Sequence, residues 1–155
     1  MITWFDALLV TLLAAATALG ALRGLAGLVW GVGGVAVCFL CNALFAGWPA
    51  LPVALVLGLG VAWAARQVSV SMGGALEVWH VALGGLGGLL IGAVLIGSLA
   101  LGLPIDPVSN QYPSSALPAA VQEAVSRSYI QMRLFPVFEG SSALQTLLIP
   151  DRIPR

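Results

Sequence analysis

Hydrophobic positions in this chain come in long unbroken runs, and polar positions are pushed to the joints between them. Ala7 to Leu22 carries no charge, Gly24 to Ala65 carries none over 42 residues, and Val78 to Ile105 carries none apart from His80. Apolar runs of eighteen or more residues predict membrane spans. The first run has no basic residue before it, because Met1 to Phe5 are uncharged and Asp6 is an acid. It is therefore expected to be a retained span, not a cleaved leader.

Four spans are expected. The first covers Ile2 to Leu22, with Thr3 as N-cap and Asp6 in the positive first turn of the helix. Gly20, Arg23, Gly24 and Gly27 mark a hinge, and the second span runs from about Leu25 to Ala46. Gly47 to Pro52 is a hairpin whose prolines suit a turn and a helix start. The third span runs from about Leu51 to Ala65. That is short unless it continues past Arg66 to Val70 with the arginine snorkelling; otherwise the segment does not fully cross. Val68 to Gly74 reads as a polar loop. The fourth span runs from about Leu76 to Leu103, ahead of Pro104.

Polarity rises beyond that point. Pro107 to Ser115 reads as a linker. Leu117 to Met132 reads as a short amphipathic helix, with Leu117, Val121, Val125 and Met132 on one face and Ser128 interrupting it. The last twenty residues, with Pro136, Pro150 and Pro154, read as extended. The expected fold is an all-α membrane protein: a small polytopic bundle of about four transmembrane helices over 1–105. A polar linker, a short amphipathic C-terminal helix and an extended tail follow over 106–155.

Composition sharpens this picture. Sixty per cent of the 155 residues are hydrophobic and 8% charged, against about a quarter charged in a soluble domain. All six basic residues are Arg, balanced by six acids, so no basic patch for nucleic acid exists. The 19 glycines matter through their spacing. Gly84, Gly88 and Gly92 recur every fourth residue, and Gly27 and Gly31 lie together on the second span. Such positions let backbones approach closely. The second and fourth spans are therefore expected to make the closest contact, with self-association through one of them as the competitor.

Little chemistry is on offer. Glu77 and His80 share a helix face, but an isolated pair is a weak metal or proton-relay signal. Cys38 and Cys41 lie deep in an apolar run and read as packing residues. Ser98 has no base nearby, and no phosphate-binding or dinucleotide motif is present. No catalytic residue, metal or cofactor is expected. The expected partners are the lipid bilayer and either further copies of the chain or other membrane subunits.

Trp4-Phe5-Asp6 at the start of an apolar helix, then Gly20-Ala21-Leu22-Arg23-Gly24-Leu25, then the Gly-rich stretch from Gly84 to Gly97, resemble the colicin V production protein (CvpA) family. The segment around Ser128 and Pro136 is similar to that family's serine-then-proline ending. Members commonly carry an acid soon after the Arg-Gly pair; here the positions from Leu25 to Trp30 are apolar, so no charge pair is carried over. The resemblance implies a non-enzymatic inner-membrane protein tied to bacteriocin export and envelope homeostasis, with Asp6, Arg23 and Gly24 as its marks. An accessory subunit of a larger membrane complex, or a small channel or transporter subunit, is the alternative.

Arg23 and Arg66 follow the first and third spans, so four crossings put both on one side. The positive-inside rule makes that side cytoplasmic and both termini external. Asp6 and Arg23 lie about 25 Å apart along a straight helix and are expected at opposite membrane faces.

Overall fold

A computed structural model describes residues 2–44, 50–71, 77–103, 114 and 117–148. Among these it contains seven helices: α1 (Trp4–Leu22), α2 (Leu25–Leu44), α3 (Ala50–Ser71), α4 (Val78–Leu101), α5 (Ala119–Ser126), α6 (Tyr129–Glu139) and α7 (Ser142–Leu148). The first four hold 19 to 24 residues each. At about 1.5 Å per residue they reach roughly 28–36 Å, against about 30 Å of hydrocarbon. All four are long and apolar enough to cross a membrane. The fold is thus an all-α bundle of four long apolar helices, followed by short helices.

The surface agrees. Leu51, Leu55, Val56, Leu59 and Trp63 on α3 are each more than 60% exposed. An apolar face of this extent is stable in lipid and a liability in water. Two hydroxyls inside the first span are satisfied within that helix. Thr11 and Thr17 donate to the carbonyls of Ala7 and Leu13, which lipid would otherwise leave without a partner.

α3 runs unbroken through Arg66 to Ser71, and the Ser71 hydroxyl donates to the carbonyl of Gln67. The expected loop therefore starts later than Val68, because no proline or glycine stops the helix before Ser71. Gly47 to Pro49 of the hairpin, residues 72–74 of that loop, the linker at 107–113 and the tail beyond Leu148 lie outside the described residues.

The chain packs as two compact units, Leu13–Val94 and Met1–Leu12 with Leu95–Arg155. In the first, glycine backbones make the closest contacts of α4 with α1 and α2. A Cβ placed on Gly88 would strike the carbonyl of Ala16 and the Cα of Thr17, and one on Gly92 would press on Ala16 and Leu13. One on Gly84 would strike the carbonyls of Gly20 and Gly24. The Gly84-Gly88-Gly92 stripe therefore faces α1. The neighbouring Gly87 faces Gly27, Leu28 and Gly31 of α2, and Gly34 meets Ile91. α4 thus uses two adjacent glycine faces for two helices, where the sequence reading gave it one. Gly33 of α2 lies against Val61 of α3. With no water to expel, such contacts rest on dispersion, which close approach maximises.

In the second unit, Phe5, Leu9, Ile96, Ala100, Leu101, Ala124, Val125 and Phe138 form the core. The Leu148 side chain of α7 lies against Gly97 of α4. The expected single helix from Leu117 to Met132 is instead two. Arg127 ends α5, and Ser128 takes an extended conformation (φ −65°, ψ 126°) and caps α6. Met132 consequently leaves the stripe of Val121 and Val125 and is 65% exposed. Residues 136–148, expected to be extended, are largely helical: Pro136 sits inside α6, and α7 follows.

Candidate functional site at Asp6

Thr3 and Asp6 open α1 with a reciprocal capping box. The Asp6 amide donates to Thr3 Oγ1 at 3.3 Å, while the Thr3 amide and hydroxyl donate to Asp6 Oδ2 at 2.9 and 3.0 Å. The local sequence dictates this, since Thr at the cap and an acid three residues on satisfy helix-end donors in both directions.

A second set of donors reaches the same carboxylate from the tail. Ser128 Oγ donates to Asp6 Oδ1 at 2.6 Å. The amides of Ile130 and Tyr129 donate to Oδ1 at 3.1 Å and Oδ2 at 3.3 Å. These two amides are the first of α6, whose unpaired N–H groups and dipole make a ready anion site. Ser128 serves both partners, because its oxygen also accepts from the Gln131 amide at 3.2 Å. One carboxylate thus caps two helix N-termini. Asp6 and Ser128 are 2% and 1% exposed, so bulk water contributes almost nothing to their solvation. Among the described residues no buried side-chain polar atom lacks a partner.

The other marks lie elsewhere. Arg23 and Gly24 form the two-residue turn between α1 and α2, in the unit 13–94. Gly24 has φ 56°, and the Arg23 and Gly24 amides donate to the carbonyls of Gly20 and Ala21. The Arg23 guanidinium lies 4.9 Å from the centre of the Trp30 ring, a cation–π contact. Asp6 and Arg23 thus have separate partners. His80 is buried, and its Nδ1 accepts from the Glu77 amide at 3.2 Å. The Glu77 carboxylate takes the Trp79 indole N–H. That is helix-start chemistry, and among the described residues no group of three metal-ligating side chains occurs. Cys38 and Cys41 are free thiols.

Asp6 was legible from its place at the head of the first span. Ser128, Tyr129 and Ile130 were not expected as its partners. The one available signal was a serine breaking an apolar stripe ahead of Gln131. No family model, curated protein or solved structure matches the chain. What the fold defines is a multi-span α-helical membrane protein.

Proposed function

We propose that the protein is a non-enzymatic inner-membrane protein of the colicin V production type, assembling with itself or with other envelope components in export or envelope homeostasis. The Asp6 knot carries this reading. The acid and the serine that carry the resemblance, at opposite ends of the chain, are bonded to each other at 2.6 Å. A carboxylate offers about four acceptor sites, and five donors already occupy this one. It joins helices and has no capacity left for a substrate. Assembly draws support from α3, where Gly58 and Gly60 have nothing within 4 Å and a broad apolar face is open.

That open face also favours the second reading, an accessory subunit of a larger membrane complex or a small channel or transporter subunit. Purification in mild detergent with mass measurement of the intact particle separates the two. A closed homo-oligomer is expected for self-assembly and a persistent heteromer for the accessory role. A monomer under all mild conditions would sink both.

A further inference from the structure

A groove of about 400 Å³ separates the head of α1 from α5, large enough for a polar headgroup and too small for a whole lipid. One wall is Ile2, Thr3 and Trp4; the other is Ala120, Glu123, Ala124 and Arg127. The first wall sits at the end of a membrane-spanning helix. Ile2 and Trp4 are 83% and 53% exposed there, where an indole prefers the headgroup layer. The second wall presents a cation and an anion side by side. Arg127 Nη1 lies 3.0 Å from a Glu123 carboxylate oxygen, and both side chains are mostly exposed. The Thr3 hydroxyl and amide are committed to Asp6 and take no part.

We propose that this groove binds a phospholipid headgroup that joins a phosphate diester to a primary ammonium, as in phosphatidylethanolamine. The Arg127 guanidinium takes the phosphate oxygens through its N–H fork. The Glu123 carboxylate accepts from the ammonium. The two side chains are one helical turn apart, so their heads fall close enough for a ligand whose charges are two carbons apart. The small side chains of Ala120 and Ala124 leave room between the walls, and Trp4 and Ile2 face the ester and acyl region. Charge order gives the selectivity. An anionic headgroup without an ammonium leaves the Glu123 charge without a counter-ion, and a quaternary ammonium has no N–H to donate.

Native mass spectrometry of the whole protein, released from detergent with equal amounts of phosphatidylethanolamine, phosphatidylglycerol and phosphatidylcholine, tests this. The wild type should retain phosphatidylethanolamine above the other two. Glu123→Gln should cut that preference by about fivefold, the weight of one exposed charge contact. Arg127→Gln should lower retention of all three lipids. Equal retention of the three by the wild type, or an unchanged profile in both variants, refutes the site. Displacement of the lipid by soluble phosphoethanolamine at equal concentration assigns the groove to a small solute and also refutes it. A reading that leaves the charge pair intact guards against misfolded variants. Phosphatidylethanolamine with brominated chains should quench the wild type more than Trp4→Phe, and equal quenching counts against the proposal.

Discussion

The hydroxyl of Ser128 donates to the carboxylate of Asp6 at 2.6 Å across 122 positions of sequence. Each residue also caps its own helix, Asp6 with Thr3 on α1 and Ser128 with Gln131 on α6. The bond therefore ties the head of the first span to the head of a tail helix. A buried charge is tolerable here because three of its five donors are amides at helix starts that themselves need an acceptor, and the other two are hydroxyls.

Removing either partner should loosen both helix starts. Ser128→Ala deletes a cap and a charge-assisted bond, at a cost of about 1–3 kcal/mol. Asp6→Ala leaves the Ser128 hydroxyl and two α6 amides without their acceptor and should cost at least about 3 kcal/mol. The double variant should cost less than the sum, with a coupling of about 0.5–3 kcal/mol. Reversible unfolding in mixed micelles measures all three. Strict additivity would mean that the two residues act independently.

Gly88→Leu should disrupt the bundle far more than Leu90→Ala or Gly60→Leu. Any side chain at Gly88 meets the backbone of Ala16 and Thr17, which cannot swing aside. Leu90 is 38% exposed, and Gly60 has open space around it. Yield and particle mass in detergent report the difference. Equal yield and unchanged mass for Gly88→Leu would refute the close packing of α4 on α1.

Gly24→Ala should destabilise by about 1–2 kcal/mol from backbone strain alone, since φ 56° brings Cβ against the carbonyl. Gly60→Ala, in the interior of a helix with an open flank, should instead be neutral or gain up to about 1 kcal/mol. Thermal denaturation of the two variants beside the wild type compares them. A Gly24→Ala protein as stable as the wild type would show that the turn adapts.

The four long helices were legible because membrane spans announce themselves by length and apolarity, which need no knowledge of contacts. The glycine stripe was legible as a packing face, but its partner was not. Gly84, Gly87 and Gly88 are neighbours in sequence yet point at different helices, and only the relative rotation of α1 and α2 decides which. The tail was misread at Ser128. In the sequence Ser128 only interrupts an apolar stripe, whereas a distant carboxylate makes it the start of another helix. Pro136 misled in the same way, since one missing N–H late in an 11-residue helix is tolerated where packing holds Phe138 in the core.

Both termini should lie outside the cytoplasm. Contact between Asp6 and the residues from Ser128 to Ile130 places the start of α1 and the start of α6 on one side of the membrane. An even number of crossings must separate them, and four helices long enough to cross provide it. Arg23 follows α1 and Arg66 lies near the end of α3, so the positive-inside rule puts those ends in the cytoplasm. The tail carries Arg127, Arg133, Arg152 and Arg155, which favours the opposite orientation. Arg127 is paired with Glu123, and acids weigh little in the rule. Single cysteines at Ser142 and Ser71, in a background with Cys38 and Cys41 replaced by alanine, will decide the orientation. Both positions are exposed, one in the tail and one at the end of α3. A membrane-impermeant maleimide should label Ser142→Cys in intact cells and Ser71→Cys only after the membrane is opened. The reverse pattern would invert the orientation and keep the even crossing number. Labelling of both in intact cells would mean that α3 does not cross the bilayer in the expected sense.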